Sequence, residues 1–328
     1  MPKIRWGLLS TANINKAVIP AIRASARGEL MAVASRNQSA ANQYATQWEI
    51  PKAFGSYEEM LSSDEIEAVY IGLPNHLHAE WSIRAMQAGK HVLCEKPLAI
   101  SLDEVDRMAA ASQGTGRVLA EAFMYLHHPQ TQLAREIVQR GDIGDICVVR
   151  GVFNFSMHSR DNIRLVPEYG GGSLWDVGVY PMSFAQYIND GPPAWVFGDQ
   201  WLGESRVDET FAGQLHYASG SLAQITCAFR SPQYTLAEVI GTQGRLLVNR
   251  PFVRMEESHE LWVYDKNNEV RRIPVPDEYL YQGEIEDLHD AALEGKQPRI
   301  SLQQSRDHIR TILALYESAR EGRIVGLE

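Results

Sequence analysis

The sequence predicts an α/β protein in which a doubly wound parallel sheet is followed by a second domain of mainly antiparallel strands. Roughly the first 120 residues alternate strand-like and helix-like stretches, which is typical of a parallel sheet with helices on both faces. After Glu121 most segments have strand composition. Because 328 residues exceed what one hydrophobic core usually fills, we expect two domains, 1–121 and 122–328.

The composition excludes several classes of protein. Apolar residues make up 45% and charged residues 22%, with no apolar run long enough to cross a membrane, so we expect a soluble protein. A net charge of -10 without a basic stripe argues against a nucleic-acid partner. The first residues show no signal-peptide pattern, which predicts a cytoplasmic location. Cys94, Cys147 and Cys227 are too widely spaced to indicate disulfides or a cysteine zinc site.

The elements of the first domain follow from short apolar runs and amphipathic stretches. Strands are predicted at 4–9, 30–34, 68–72, 91–94 and 118–120. Helices are predicted at 14–24, 40–48, 57–61, 77–88 and 102–112. The last of these has a clear start, because Ser101 can cap it and Asp103 and Glu104 favour the helix dipole.

The second domain begins with a helix at 129–140, started by Pro129 and ended by Gly141. Strands are predicted at 146–155, 211–217, 222–229, 238–240, 246–248 and 261–264. Turn signals at Ser219-Gly220 and Thr242-Gln243-Gly244 predict antiparallel hairpins. Amphipathic patterns predict further helices at 176–188 and 302–320.

One apolar run of the first domain ends in the charged motif Glu95-Lys96-Pro97. The run suits a buried strand, whereas an unpaired Glu-Lys pair is costly to bury, so the chain must reach the surface here. Open α/β sheets bind ligands at this edge. Pro97 restricts the backbone of Lys96 and thereby sets the direction of its side chain. We interpret Lys96 as a catalytic lysine, the alternative being a lysine that only precedes a turn.

The first strand-to-helix turn lacks glycine at all three positions of the dinucleotide fingerprint, which hold Ser10, Ala12 and Asn15. Small side chains and amides at a helix start still suit a pyrophosphate, and the hydroxyls of Ser10 and Thr11 add donors. Ordinary helix capping explains the same residues equally well.

The second predicted strand ends in Ser35-Arg36-Asn37. An NAD site expects an acidic residue here for the ribose diol, whereas an arginine suits a 2′-phosphate. A solvated arginine at a strand end is the alternative.

The third predicted strand leads into Leu73-Pro74-Asn75-His76-Leu77-His78 at the same edge of the sheet. Asn75 either caps the next helix or contacts a ligand. The spacing of His76 and His78 raises a metal hypothesis, but no cysteine lies nearby in sequence, and we predict no metal site.

A glycine-rich segment, Gly170-Gly171-Gly172, precedes Asp176 and Tyr180 in the second domain. Residues four apart project from one face of a helix, so a carboxylate and a phenol would be presented together. The alternative is an aspartate that caps its helix and a tyrosine in the core.

Together these motifs resemble the glucose-fructose oxidoreductase, inositol dehydrogenase and rhizopine catabolism family, written Gfo/Idh/MocA. The segments Ala120-Glu121-Ala122-Phe123-Met124-Tyr125 and His127-His128-Pro129-Gln130 resemble the branch of dimeric dihydrodiol dehydrogenases and NADP-dependent xylose dehydrogenases. The resemblance implies an N-terminal dinucleotide-binding Rossmann domain. It also implies a C-terminal α+β domain for substrate binding and oligomerisation, with an open-faced, largely antiparallel sheet.

The resemblance implies an NADP-dependent oxidoreductase, with NAD as a weaker alternative, that transfers hydride between a nicotinamide and a carbinol carbon of a small sugar, polyol or diol. Its catalytic residues would be Lys96, Tyr180 and Asp176. The predicted cofactor contacts are Ser10, Thr11, Ala12, Asn13, Ile14, Ser35, Arg36, Leu73, Pro74, Asn75, His78, Glu95 and Lys96. The predicted substrate contacts are Tyr125, Arg164, Trp175, Asp176 and Tyr180.

Proton transfer is expected to depend on Lys96 and Tyr180 together. An unperturbed tyrosine titrates near 10, and a neighbouring ammonium group would lower the Tyr180 pKa by about 1–3 units, which makes a base of it. Two alternatives stay open: a non-catalytic NADP-binding sensor, and an enzyme that passes hydride between two sugars on tightly held NADP.

We also predict a homo-oligomer, most simply a dimer. Few helices are predicted across the second-domain strands, so one face of the sheet needs a cover, and apolar residues recur at Phe211, Leu215, Tyr217 and Phe229.

Overall fold

In the computed structural model, which describes residues 3–253 and 259–327, the chain divides into two units. The first contains Met1–Met124 and Tyr281–Arg306, and the second contains Tyr125–Leu280 and Asp307–Glu328. The chain therefore differs in one respect from the predicted division at residue 121, because Tyr281–Arg306 returns to the first unit.

The strands are β1 Ile4–Leu9, β2 Gly28–Ala34, β3 Lys52–Phe54, β4 Ala68–Ile71, β5 His91–Glu95, β6 Leu119–Ala122, β7 Ile146–Ser156, β8 Trp195–Leu202, β9 Asp208–His216, β10 Leu222–Ala228, β11 Arg230–Gly241, β12 Gly244–Asn249, β13 Glu260–Asp265, β14 Val270–Pro274 and β15 Val325–Gly326. The helices are α1 Asn15–Ala24, α2 Gln38–Gln47, α3 Tyr57–Leu61, α4 His78–Gln87, α5 Leu102–Thr115, α6 Met124–His127, α7 Pro129–Gln139, α8 Val179–Asn189, α9 Gln282–Glu294 and α10 Leu302–Glu321.

The first unit is built on a six-stranded sheet in the order β3-β2-β1-β4-β5-β6, with every pair parallel. The central strand β4, Ala68–Ile71, is buried along its whole length. A strand that is apolar on both faces requires helices on both sides of the sheet. The predicted doubly wound parallel sheet is confirmed, with β3 as an additional edge strand.

Helix α9 belongs to the first unit because specific contacts attach it to β1 and to the chain before β2. The Trp6 indole donates a hydrogen bond of 3.0 Å to Nε2 of the buried His289, whose Nδ1 lies 3.2 Å from the Ser25 hydroxyl. Arg27 forms an ion pair of 2.7 Å with Glu286. These contacts are the physical reason for the departure from the predicted boundary.

The second unit is built on a nine-stranded sheet in the order β14-β13-β12-β11-β7-β10-β9-β8-β15. Both predicted hairpins are present, because β9 pairs antiparallel with β10 and β11 with β12. Strand β7 pairs parallel with β10 and antiparallel with β11. The sheet is therefore largely antiparallel, as predicted.

The four apolar residues expected on the uncovered sheet face lie on the other side. Phe211, Leu215, Tyr217 and Phe229 are at most 3% exposed, and the Phe211 ring centroid is 5.6 Å from that of Tyr316 in α10. The prediction was wrong about these residues because all four are buried, and α10 packs on the side of the sheet to which Phe211 points.

Candidate active site

The turn after β1 satisfies the geometry of a dinucleotide turn without its glycines. Ser10 stands at the first glycine position and has a φ of 152°, a backbone angle that glycine adopts far more readily. Its hydroxyl donates to the Gly72 carbonyl at 3.0 Å and accepts from the Ala12 amide at 3.2 Å. The side chain therefore stabilises the conformation that glycine would otherwise supply.

The amides of this turn fit an anion. Within the described residues the amides of Thr11, Asn13 and Ile14 have no hydrogen-bond acceptor, and unpaired amides at a helix start are the usual ligands of a pyrophosphate. Asn15, at the third glycine position, is fully buried and donates to the Ser10 carbonyl at 2.8 Å. Its carboxamide thus closes the turn from inside.

Arg36 follows β2 and is exposed, as a residue that receives a 2′-phosphate must be. Burial raises the pKa of the Tyr57 phenol, and the charge and hydrogen bond of Arg36 partly offset that effect. Tyr57 itself is buried and packs edge-on against Trp81, with ring centroids 4.8 Å apart. The sequence did not indicate Tyr57 as a neighbour of the cofactor site. Nothing in its own segment shows that Tyr57, at the start of α3, lies beside Arg36 after β2.

The segment that carries Lys96 is fixed by side chains on both sides of it. The Lys96–Pro97 peptide bond is cis. The fully buried His78 places Nδ1 2.8 Å from the Pro97 carbonyl and Nε2 2.8 Å from the Leu73 carbonyl. The buried Glu121 carboxylate accepts from the Leu98 amide at 2.9 Å.

These contacts change the role expected of His78. Burial lowers the pKa of His78, and its two carbonyl contacts partly offset that effect. A fully buried ring that occupies both nitrogens with backbone carbonyls cannot reach a cofactor. The structure therefore gives His78 a supporting function in place of the predicted cofactor contact, and its carbonyl partners carry no sequence signal.

The other predicted cofactor residues of this edge lie close to the strand ends. Pro74 and Asn75 are half-buried at the start of a single 3₁₀ turn, Asn75–Leu77, whereas Leu73 is buried just before it. Glu95 accepts a hydrogen bond from the buried Tyr70 phenol, and Lys96 beside it is half-buried.

In the second unit, the segment that carries Asp176 is not a regular α-helix. A π-helical turn, Leu174–Gly178, precedes α8. Pro181 lacks the amide that would bond to the Val177 carbonyl, which favours the wider turn. The expected one-face spacing of Asp176 and Tyr180 therefore departs from α-helical geometry. Asp176 instead pairs with Arg164, with Nε and Oδ2 2.6 Å apart.

Tyr180 lies in an aromatic cluster of the second unit and is only 6% exposed. Its ring centroid is 5.2 Å from that of Phe153, 5.7 Å from that of Phe252 and 5.7 Å from that of Tyr125. Such packing fixes the direction of the phenol.

Two residues predicted to contact substrate are buried in the second unit. Tyr125 is fully buried, and its hydroxyl lies 2.7 Å from that of Ser183. Trp175 is 7% exposed and its ring centroid is 5.9 Å from that of Tyr316. Contact of these two residues with substrate stays a prediction, as does that of Arg164, whose side chain is accessible.

Residues 3–253 and 259–327 contain neither a metal-binding cluster nor a membrane-spanning helix. No group of three or more His, Cys, Asp or Glu side chains is arranged to hold a metal ion. No helix in this part of the chain is long and apolar enough to cross a membrane.

Comparison with known families covers both units. The Gfo/Idh/MocA oxidoreductase family with an NAD-binding Rossmann fold matches residues 4–123, and the Gfo/Idh/MocA C-terminal domain matches residues 131–247. The chain belongs to the Gfo/Idh/MocA family. The predicted family, its Rossmann fold and the oxidoreductase class are thereby confirmed.

Individual relatives match between 76% and 98% of the chain. D-xylose 1-dehydrogenase (NADP(+)) 2 of Haloferax volcanii is 38% identical over 326 residues, 98% of this chain and 99% of that protein. Trans-1,2-dihydrobenzene-1,2-diol dehydrogenase of Sus scrofa is 32% identical over 253 residues, 76% of this chain and 75% of that protein. Both types of the predicted branch are therefore among the relatives.

The fold also matches KijD10, a 3-ketoreductase from Actinomadura kijaniata, in its crystal structure with NADP and TDP-benzene. The TM-score is 0.90 at 29% sequence identity, over 96% of this chain and 98% of that one. This structure and the xylose dehydrogenase both support the predicted use of NADP within the Gfo/Idh/MocA family.

Proposed function

We propose that this protein catalyses the NADP-dependent oxidation of an alcohol carbon, or the reduction of the matching carbonyl, in a sugar, polyol or cyclic diol. The observation that carries this proposal is the edge of the first sheet, where unpaired amides follow β1 and Arg36 follows β2 in place of an acidic residue. The relatives support the substrate class, since one acts on xylose and another on a dihydrodiol.

The first unit would hold the cofactor. The amides of Thr11, Asn13 and Ile14 would bind the pyrophosphate, and Arg36 would bind the 2′-phosphate. NADP supplies or accepts the hydride, so the protein has to orient the reacting carbon and move the alcohol proton. His78 and Glu121 would keep Lys96 in place for this purpose.

The proton would move through Tyr180, with Lys96 as the ammonium that favours the phenolate. In oxidation the phenolate takes the proton of the substrate hydroxyl, and in reduction the phenol returns it. Asp176, paired with Arg164, would orient a substrate hydroxyl. Each of these roles is carried over from the family pattern in the sequence.

Absorbance at 340 nm tests the proposal with a panel of sugars, polyols, dihydrodiols and dicarbonyls. We expect turnover with NADP or NADPH on at least one class of the panel. Cofactor binding without any turnover would favour a non-catalytic sensor. NADP that stays with the protein through purification, with turnover only when two sugars are present, would favour hydride exchange between sugars.

We further propose a homodimer assembled on the uncovered face of the second sheet. The exposed apolar side chains on this face are Phe197, Trp201, Leu222 and Tyr234, which are 36–52% exposed. Light scattering should give about twice the chain mass of 36.8 kDa, and Leu222→Asp should reduce it to one chain. A single-chain mass for the unmodified protein at micromolar concentration would exclude the dimer. The cytoplasmic location stays a prediction.

A further inference from the structure

A buried carboxylate lies directly under the segment that presents Asp176. Asp208, the first residue of β9, is 2% exposed. Its Oδ2 accepts hydrogen bonds from the Ser173 hydroxyl at 2.7 Å and from the Leu174 amide at 2.8 Å, and its Oδ1 accepts from the Tyr316 phenol at 2.7 Å. Three donors from two different segments thus converge on one carboxyl group.

The glycine loop, residues 170–172, packs directly against this carboxyl group. Gly172 has a φ of 124°, and a Cβ at this position would lie 2.1 Å from Oδ1 of Asp208. No side chain fits in that space. Asp208 can therefore hold this loop against the sheet only if residue 172 is glycine.

Among the residues that the structure describes, the groups that face Asp208 carry no compensating positive charge. They are the Tyr316 phenol from α10 and the Cys227 thiol from β10, and burial raises the pKa of both, so both are neutral. The nearby Asp176 is paired with Arg164. Burial consequently raises the pKa of Asp208 to about 6, although its three hydrogen bonds oppose the shift.

We propose that ionised Asp208 is a positioning residue, which holds the glycine loop and the π-helical turn Leu174–Gly178 in the form that presents Asp176 and Tyr180. The inference rests on the catalytic roles proposed above for those two residues. It adds a requirement that Asp208 be charged, since a carboxylate accepts hydrogen bonds more strongly than a neutral acid or an amide.

A dependence on pH follows from that requirement. Acidification converts Asp208 into a neutral acid that must itself donate a hydrogen bond. Its hydrogen bonds with Ser173 and Leu174 therefore weaken. Turnover should therefore fall on the acid side of pH 6, although Asp208 touches no substrate. A misplaced catalytic group costs about 10- to 100-fold in rate.

The main test is the pH profile of kcat for Asp208→Asn with a substrate from the 340 nm panel. At pH 7.5 this variant should have a kcat about 10- to 100-fold below that of the unmodified protein, with little change in KM and no acid limb between pH 5 and 7. Asp190→Asn, at an aspartate after α8 whose side chain is 81% exposed, is the matched control and should keep the normal profile.

Tyr316→Phe gives an independent test that leaves the Asp208 carboxylate intact. Loss of one hydrogen bond to that carboxylate should raise the midpoint of the acid limb by about 0.4–1.1 units. Hydrogen exchange gives a readout without substrate: the peptide around 170–178 should exchange faster in Asp208→Asn, after correction for intrinsic rates.

Two results would overturn the inference: an unaltered acid limb in Asp208→Asn, or an acid limb in Tyr316→Phe that stays or moves to lower pH. If Asp208→Asn does not fold, the Tyr316→Phe profile decides. Failure of the proposed function is distinct, because it appears as cofactor binding without turnover or as normal turnover of Tyr180→Phe. In either case unchanged hydrogen exchange of the peptide around 170–178 in Asp208→Asn would overturn the inference about Asp208.

Discussion

Arg36 is the side chain on which the choice of cofactor depends most directly. It is exposed at the end of β2 and lies beside Tyr57. A charge-assisted hydrogen bond is worth about 1.5–3 kcal/mol, so Arg36→Ala should lower kcat/KM for NADP by about 10- to 150-fold and leave NAD nearly unchanged. Arg107→Ala, which removes another exposed arginine of the first unit, is the control. Equal losses with both cofactors would mean that Arg36 has only a structural role.

Lys96 and Tyr180 should act as one proton-transfer unit. Tyr180→Phe removes the proton carrier and should lower turnover by about 10²- to 10⁴-fold with modest change in cofactor affinity, and Lys96→Met should cost a similar factor. The double variant should be little worse than either single one, because residues that act as a unit are not additive.

The pH profile of the same variants gives a second measurement. Oxidation by the unmodified enzyme should rise with a midpoint below that of free tyrosine, and Lys96→Met should move this limb to higher pH. Near-normal turnover of Tyr180→Phe with an unchanged profile would remove the phenol from the mechanism.

Positions that follow from spacing within one segment could be predicted, whereas contacts between distant segments could not. Ser10 and Arg36 stand at positions defined by spacing within one strand-turn-helix unit. Asp208 lies 35 positions from Ser173, and the partners of His78 are carbonyls, which every residue has. Only the folded chain shows that these groups meet.

At the scale of elements, the contact between α8 and β7 determines where Tyr180 lies. A Cβ on Gly151 of β7 would be 2.5 Å from Cβ of Pro181, the residue after Tyr180. Gly151→Ala should therefore move the start of α8 away from the sheet, destabilise the protein by about 1–3 kcal/mol and lower kcat. Cofactor affinity should be unchanged, because the proposed cofactor residues lie in the first unit.

Chemical denaturation and cofactor titration of Gly151→Ala measure both effects. The control is Gly114→Ala in α5, where an added Cβ has no neighbour within 4 Å and should be neutral or slightly stabilising. Normal kcat in a destabilised Gly151→Ala variant would show that the position of α8 is not critical for turnover.

The predicted elements were those with strong local patterns. The strands β1 and β7 and both hairpins follow from apolar runs and turn residues. Strand β3 has three residues, too few for a pattern. Helix α9 was not predicted, although its sequence has apolar residues on one side and Gly295 after its end. The π-helical turn had none, because it depends on Pro181 and on close packing of Gly178 against Cys227.

At the scale of the whole molecule, buried histidines should make the fold sensitive to acid. Burial lowers the pKa of each of five histidines, namely His78, His91, His128, His259 and His289. When the pKa of a histidine is lower in the folded protein than in the unfolded chain, its contribution to stability is fully present above the unfolded pKa. This contribution is lost as the pH falls below the unfolded pKa. In that range the unfolded chain binds protons that the folded protein does not.

Buried acids act in the opposite direction. Burial raises the pKa of Asp208 to about 6 and raises that of Glu284 well above its ordinary value. The folded protein therefore binds protons at these carboxyls before the unfolded chain does, and acidification stabilises it through them. The pH dependence of total stability is therefore the difference between the effects of the histidines and those of the acids. The effect of a single histidine has to be measured by substituting that residue.

His128 is the best histidine for that measurement. It is 3% exposed, and burial, with a smaller effect of His259, lowers its pKa from 6.5 to about 4. Its Nδ1 accepts from the Gln130 amide at the start of α7, and asparagine can replace it as a cap without titrating. Between pH 7 and 4.5 the free energy of unfolding of His128→Asn should gain about 2–3 kcal/mol relative to the unmodified protein.

Urea unfolding at several pH values provides that comparison, and the contributions of Asp208 and Glu284 cancel because both proteins contain them. The His128→Asn difference should grow only below about pH 6.5, where the unfolded histidine takes up its proton. A constant difference from pH 7 to 4.5 would mean that folded His128 is protonated as readily as the unfolded residue.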